Sequence, residues 1–391
     1  MPIKIMYLLD YYHGPSGGTE RHVLQLIQHL DRSCYEPSMT LLRKSDYVES
    51  NGFACRVMVL GISKLASIRS IVKLLRFGFS LRRQGYQIVH CFFNDVSLMA
   101  PPLLRIFGVR VLVSRRDMGF WYTPWILKAL RLTSRFVDHY VVNSQAVKRI
   151  VQEREHVAEE KIAVIYNGCL PEEKLICETA KVTKQLGSEN SGRIIGIVAN
   201  LRPIKRVDTI IEAFGAIHTA FPDVRLAIVG DCQSKQAKSV FERLVDLANL
   251  LGVREKVIFT GSVDEPSPYI SRFSVAVLCS ESEGFSNSLI EYMQARRPIV
   301  CTDSGGNPEL VQDGKNGFLV PVGDVNALAE RLVVLLADSA LARRLGDAAR
   351  ETVRSMCSHT RMVTEQMACY DQVLSGTRSD RQFNGASRIL Q

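Results

Sequence analysis

Residues 3–30 read IKIMYLLDYYHGPSGGTERHVLQLIQHL, and the reading of this stretch decides the fold class. Lys4-Ile-Met-Tyr-Leu-Leu9 is a short apolar run of the length of a buried strand. Gly14, Gly17 and Gly18 then mark a loop, and Val23, Leu26, Ile27 and Leu30 recur at helical spacing. A strand, a glycine loop and a helix make one βα unit. The alternation continues outward from it. Residues 39–42, 56–60, 87–93, 109–114 and 139–143 read as strands, with helices over 64–83, 124–135 and 145–154. A second series follows a polar stretch, 172–193. Its strands fall at 194–199, 225–230, 257–260, 275–278, 298–302 and 317–320. Its helices fall at 207–220, 235–251, 288–296, 326–336 and 340–355. The fold class is therefore α/β, with two Rossmann-like doubly wound domains. The expected bounds are 1–170 for the N-terminal domain and 190–355 for the C-terminal one. A helix over 356–375 is expected to return toward the N-terminal domain, followed by a frayed polar tail, 376–391.

At 391 residues the chain suits two cores better than one. A hydrophobic fraction of 46% describes a globular chain, not a disordered one. The ten cysteines form no CxxC pair, and no Cys/His group has zinc-finger spacing. Their scatter through apolar runs points to a reducing compartment. No run of 18 or more apolar residues is present, and the N-terminus does not resemble a secretory signal. The net charge of +9 lies in one half: residues 1–190 hold 26 Lys and Arg against 17 Asp and Glu, and residues 191–391 hold 23 of each. Between 56 and 135 there are 14 basic residues and two acidic ones, Asp95 and Asp117. Such an asymmetry suits an anionic partner: a phospholipid surface, a phosphorylated acceptor or nucleic acid.

In open α/β sheets ligands sit at the carboxyl ends of the strands, so the loops after strands matter most. The first is Pro15-Ser-Gly-Gly-Thr-Glu-Arg21. Gly17 and Gly18 there let backbone amides approach an anion. The structural alternative is a tight turn with Thr19 as N-cap. The dinucleotide fingerprint GxGxxG is absent, which weighs against a nicotinamide cofactor. The second is Ala199-Asn-Leu-Arg-Pro-Ile-Lys-Arg206, where Arg202, Lys205 and Arg206 could pair with a diphosphate. The third is Glu281-Ser-Glu-Gly-Phe-Ser-Asn-Ser-Leu-Ile-Glu291. Its helix start could meet phosphate or sugar oxygens, and Glu291 could accept two ribose hydroxyls. Ser288 and Glu291 also fit a capping box, which would explain Glu291 without a ligand but leaves Glu283 and Gly284 unexplained.

Glu283 and Glu291 enclose seven residues. With that spacing the sequence resembles the family 4 glycosyltransferases of the GT-B fold over nearly its whole length. Gly17-Gly18, Lys205, Val142-Asn-Ser144, Ile165-Tyr-Asn-Gly168, Val229-Gly-Asp231, Gly305-Gly-Asn-Pro-Glu309 and Asn316-Gly-Phe318 match further landmarks of that family. The resemblance implies two domains facing across a cleft and retention of anomeric configuration without a metal. It implies that Glu291 holds the ribose and Glu283 the transferred sugar. Ser286, Asn287 and Ser288 would contact sugar and phosphate, and Lys205 and Arg202 would neutralise the leaving diphosphate. The chain departs from the family at Asn200, where Arg is frequent, and at Arg116, where many members carry His. Arg cannot act as a base at neutral pH, so Arg116 is read as a binder of an acceptor phosphate. His13 and Asp117 are positional candidates on the acceptor side. No cofactor is expected; the donor substrate is a nucleotide-diphosphate sugar and the acceptor a glycan or polyprenyl-linked sugar. The scattered cysteines and the basic segment 64–83, rather than the resemblance, suggest a cytoplasmic setting, peripheral at the inner face of the membrane.

Residues 64–83 form a candidate amphipathic helix. Leu65, Ile68, Val72, Leu75 and Phe79 make an apolar stripe beside Arg69, Lys73, Arg76 and Arg83. One reading packs that stripe on the sheet with the cations in solvent. The other docks it on an anionic membrane surface. Two other functions use the same features. One is a sugar-nucleotide epimerase or hydrolase on a similar scaffold, which the Glu283/Glu291 spacing disfavours. The other is a non-catalytic binder of nucleotide sugar or nucleic acid. No recognisable nucleic-acid motif is present, so no nucleic acid is expected.

Overall fold

The computed structural model describes residues 1–15, 17–65, 67–169, 180–188, 192–231 and 235–376. The chain divides into two compact units. The first comprises Met1–Asn143, Lys148–Ile165 and the chain from Thr360; the second comprises Ser144–Val147 and Tyr166–His359.

The first unit is a seven-stranded parallel sheet. Its strands are β1 (Ile3–Leu9), β2 (Tyr35–Leu41), β3 (Arg56–Val59), β4 (Tyr86–Phe92), β5 (Arg110–Arg115), β6 (His139–Val142) and β7 (Ile162–Val164). They run in the order β3-β2-β1-β4-β5-β6-β7. The chain starts in the middle, works to one edge, returns and works to the other, as in a doubly wound fold. β1 pairs with β2 from Ile3 opposite Tyr35 to Leu9 opposite Leu41. Its residues Ile5 to Leu9 are fully buried, as a strand covered on both faces requires. The helix Gly18–His29 lays Val23, Leu26 and Ile27 on one face. The last described helix, His359–Ser375, adds Met362, Val363, Cys369 and Tyr370 to the same core.

The second unit repeats the plan with six parallel strands: β8 (Ile194–Val198), β9 (Arg225–Val229), β10 (Val257–Phe259), β11 (Val275–Leu278), β12 (Ile299–Thr302) and β13 (Phe318–Val320). Their order is β10-β9-β8-β11-β12-β13. The helices Val207–Ile217 and Val325–Ala337 cover one face with Ile210, Ile211, Phe214, Leu328 and Leu332. Asn287–Gln294 and Ser339–Met356 cover the other with Leu289, Met293, Ala349 and Val353.

Four local features differ from the sequence reading or were missed by it. The polar stretch 172–193 is not all linker: Ala180–Leu186 is a helix, with Val182 and Leu186 buried in the second unit. The apolar period outweighs the surrounding polarity there; the rest of the stretch, except 187–188 and 192–193, lies outside the described residues, as does the tail beyond Gly376. Asn94–Arg105 is a helix although it contains Pro101 and Pro102. Burial of Val96, Ala100 and Leu104 outweighs the two hydrogen bonds the prolines forfeit. β7 is only three residues long and carries no turn signal of its own.

The fourth concerns Ile68–Arg83. Its core-facing residues are Ser70, Leu74, Phe77, Gly78 and Leu81. The stripe Ile68, Val72 and Phe79, which one of the two readings packed on the sheet, is exposed. The helix carries two apolar arcs, and the one with the larger side chains near its centre faces the sheet.

Candidate donor site at the strand ends of the second sheet

Four loops meet where β8, β9, β11 and β12 end. After β8, Arg202 opens a short turn, Pro203–Lys205, and the chain leaves it through Arg206 in the left-handed region (φ 46°). The turn is pinned to the loop after β11 by the amide of Glu281, which donates to the Ile204 carbonyl at 2.9 Å. The loop after β11 is in turn held by the one after β12. Thr302 Oγ1 donates to the Ser280 carbonyl at 2.6 Å and Ser304 Oγ to the Glu281 carbonyl at 2.7 Å. Gly305 and Gly306 then pass directly over Glu283-Gly284. A Cβ at Gly305 would lie 1.8 Å from the Glu283 carbonyl oxygen, and one at Gly306 2.3 Å from that of Gly284. Gly230, after β9, is equally close to the Ala199 carbonyl, at 2.0 Å. Only residues without a Cβ allow these loops to stack so tightly.

The stacking brings Lys205 and Glu283 together: Nζ donates to Oε1 at 2.6 Å, both side chains being largely withdrawn from water. Glu291 sits one turn into the helix Asn287–Gln294 and is buried. It is not part of a capping box. The N-cap is Ser286, whose Oγ accepts from the Leu289 amide at 3.3 Å, so Glu291 lies beyond the capping positions. The side chains of Ser286, Asn287 and Ser288 all have protein partners. Ser288 Oγ donates to the Val198 carbonyl at 3.2 Å, and Asn287 Oδ1 accepts from Asn167 Nδ2 at 2.6 Å. Ser288 thus ties the helix start to β8, Asn287 ties it to Asn167, and Ser286 caps it. Arg202 is exposed at the head of the turn, and the Arg206 guanidinium pairs with Asp208 at 3.2 Å.

One residue here was quoted in a motif but given no role. The Glu309 carboxylate accepts from the amides of Gln145 and Ala146 at 2.9 and 2.8 Å and from Tyr166 Oη at 3.0 Å. It caps the start of Gln145–Glu155 from a position 163 residues away. Tyr166 also packs on Phe285, ring centroids 4.9 Å apart. Three landmark motifs thus form one cluster beside the site.

The acceptor-side candidates belong to the first unit. Gly17 is the N-cap of Gly18–His29, not Thr19. A Cβ at Gly17 would lie 2.2 Å from Glu20 Oε2, so the chain's own carboxylate curls over this helix start. His13 is exposed beside Tyr11, ring centroids 4.5 Å apart. Burial pushes the Arg116 guanidinium down to about 9, so it remains cationic at neutral pH. Asp117 Oδ1 accepts from the Gly119 amide at 2.7 Å and from Trp121 Nε1 at 3.0 Å, which makes it the staple of that turn. Burial raises its pKa. Behind it lies a buried pair, Arg115 Nε and Nη2 to Glu155 at 2.6 and 3.0 Å. His90 forms a second buried chain, with Nδ1 2.9 Å from Tyr370 Oη and Nε2 2.9 Å from Ser114 Oγ. Burial pushes its pKa down to about 3, so the ring is neutral. Neither the Arg115–Glu155 pair nor the His90 chain carries a local sequence signal, because each partner is distant in the chain.

Residues 178–352 match the family described as glycosyl transferases group 1, and residues 16–173 match the one described as Glycosyltransferase Family 4. The chain belongs to the family 4 glycosyltransferases. Among curated relatives, the family member N-acetyl-alpha-D-glucosaminyl L-malate synthase of Bacillus anthracis is 30% identical over 204 residues, 52% of each chain. The capsular polysaccharide biosynthesis glycosyltransferase CapM of Staphylococcus aureus is 24% identical over 69% of this chain and 71% of its own. The chain spans about half the length of the first of these relatives. The crystal structure of Anabaena HepE in complex with UDP superposes with a TM-score of 0.82 at 20% identity, over 96% of this chain and 100% of that one. The fold is GT-B. Among the described residues, no helix is long and apolar enough to cross a membrane.

Proposed function

We propose that the chain is a retaining glycosyltransferase that takes a glycosyl group from a nucleoside-diphosphate sugar bound at the strand ends of the second sheet. The observation that carries this reading is the Lys205–Glu283 pair, held at 2.6 Å between the exits of β8 and β11, with Glu291 one turn into the adjoining helix. Without a ligand the two charges neutralise each other. A diphosphate would draw Lys205 to itself through charge-assisted bonds worth about 1.5–3 kcal/mol each. Glu283 would then be released to accept from hydroxyls of the transferred sugar, and Glu291 from the ribose. Arg202, exposed on the same turn, adds a second cation to the leaving group.

In the transfer the bond from the anomeric carbon to the phosphate oxygen breaks and a bond to the acceptor oxygen forms. The acceptor's proton passes to the departing phosphate oxygen, giving a nucleoside diphosphate and the glycosylated acceptor. Lys205 and Arg202 stabilise the phosphate as its charge grows. This route uses no protein base, which agrees with the structural duty of Asp117, and it relies on no metal. UDP bound to HepE and the polysaccharide role in the name of CapM support a uridine-type donor and a glycan or lipid-linked acceptor.

The test is calorimetric titration of UDP, GDP and ADP into the wild-type chain, Lys205→Ala and Glu291→Ala, with EDTA present. One nucleotide is expected to bind, and Lys205→Ala to weaken it by about 10- to 150-fold, the equivalent of one charge-assisted bond. Binding that is indifferent to both substitutions, or no binding by the folded wild type, refutes the assignment.

A further inference from the structure

We propose that the outer face of the helices covering β4 and β5 in the first unit docks on an anionic phospholipid surface. The donor-site reading is not needed for it. Ile68–Arg83, Asn94–Arg105 and Pro124–Thr133 pack side by side in that order. Each end helix buries one set of apolar residues: Leu74, Phe77 and Leu81 in the first, Leu127 and Leu130 in the last. The opposite faces are also apolar. Ile68 is 80% exposed, Phe79 55%, Trp125 74% and Leu132 60%. On the helical wheel Ile68, Val72, Arg76, Phe79 and Arg83 fall on one narrow arc, and Trp125, Lys128 and Leu132 on another. Of the fifteen large apolar side chains exposed among the described residues, six lie on these two helices: Ile68, Ile71, Val72, Phe79, Trp125 and Leu132. A surface this rich in apolar groups is unusual for a face that meets only water.

Charge identifies the occupant. Of the 14 basic residues between 56 and 135, Arg105 and Arg110 pair with Asp138 and Arg115 with Glu155; the other eleven share the stretch with only two carboxylates, and both are engaged. Asp95 pairs with Arg43, and Asp117 holds Trp121 and the Gly119 amide. A second copy of the same face would set cation against cation. A nucleic acid would satisfy the cations and leave Ile68, Phe79, Trp125 and Leu132 uncovered. A bilayer of anionic lipid meets both demands: headgroups pair with Arg and Lys while the apolar side chains and Trp125 enter the boundary with the acyl chains.

The experiment is co-sedimentation of the full chain with vesicles of phosphatidylcholine alone or with roughly 30% phosphatidylglycerol, at low salt. Sedimentation is expected only with the anionic vesicles, together with a blue shift of tryptophan emission. Trp125→Phe should abolish most of that shift while the protein still sediments. Arg76→Glu with Arg83→Glu should weaken partitioning at least 25-fold, about fivefold for each cation removed. Phe79→Ser should weaken it on the order of tenfold. All three changes are at exposed positions, and unchanged far-UV circular dichroism verifies the fold. Failure to sediment with anionic vesicles overturns the proposal. So does sedimentation that neither the charge pair nor Phe79→Ser weakens. Self-association or nucleic-acid binding abolished by these variants, without vesicle binding, overturns it in favour of those partners.

Discussion

Replacing Gly305 by Ala tests the way the site is assembled, because the structure supplies both the perturbation and its control. Gly305 has φ 56° and its Cβ would lie 1.8 Å from the Glu283 carbonyl oxygen. Gly314 has φ 72° with nothing within 4 Å of its Cβ. Gly314→Ala therefore incurs only the left-handed backbone cost, about 1–2 kcal/mol. Gly305→Ala incurs that cost and also displaces Glu283 by over an ångström. The displacement breaks the hydrogen bond from the Gly306 amide to the Glu283 carbonyl, 3.1 Å long. Such overpacking adds about 1–3 kcal/mol, and the lost bond about 1. The difference between the two variants should thus be about 2–4 kcal/mol. For a unit of this size that is roughly 4–16 °C in melting temperature, readable by differential scanning calorimetry. Because Glu283 moves with its carbonyl, Gly305→Ala should also lose affinity for the nucleoside diphosphate while Gly314→Ala keeps it. Equal melting temperatures for the two variants would refute the claim that the glycine pair sets the position of Glu283.

Further expectations concern the first unit and the cap beside the site. His90 has a pKa of about 3 in the fold against 6.5 unfolded, so below pH 6.5 the unfolded chain takes up a proton that the folded one refuses. Stability is then lost as pH falls, at about 1.4 kcal/mol per unit, or about 2 kcal/mol by pH 5. Asp10, raised by burial to about 7, acts in the opposite sense over the same range, so the measurement is a comparison. The melting temperature of His90→Gln should fall less steeply between pH 7 and pH 5 than that of the wild type, and parallel curves would contradict the assignment. Glu309→Ala should cost about 2–4 kcal/mol by removing the acceptor of two amides and the Tyr166 hydroxyl, read as a lower melting temperature. Asp117→Asn keeps an oxygen for the Gly119 amide and Trp121, so transferase turnover should drop less than tenfold; a loss of 100-fold or more would assign Asp117 a part in proton transfer.

The strands were legible because a parallel sheet covered on both faces demands short apolar runs, such as Lys4–Leu9, and glycines punctuate their exits. What composition could not supply was the facing of Ile68–Arg83, since Leu74, Phe77 and Leu81 are no more apolar than Ile68, Val72 and Phe79. Only the choice of which arc the sheet covers distinguishes them. The site divides the same way. Lys205 and Glu283 were selected by resemblance and by strand-end position, yet their pairing across 78 residues is visible only in the fold. Ser286 as N-cap, in place of Ser288, moves the helix start by two residues, within the ordinary uncertainty of helix ends. The Glu309 cap and the His90–Tyr370 chain join segments over 140 residues apart, and no local pattern encodes such a meeting.

The placement of His359–Ser375 in the first unit bears on the order of synthesis. The unit that leaves the ribosome first lacks this helix until the second unit has been translated. Tyr7 and His90 meet Tyr370 only then, and Tyr35 meets its Asp371 partner at 2.6 Å at the same moment. At 5–20 residues per second, the roughly 210 residues between β7 and the end of that helix take about 10–40 s to translate. Throughout that interval the part of the first unit's core that Met362, Val363, Cys369 and Tyr370 complete is missing, while the second unit is being made. The half of the protein made first is therefore the half completed last.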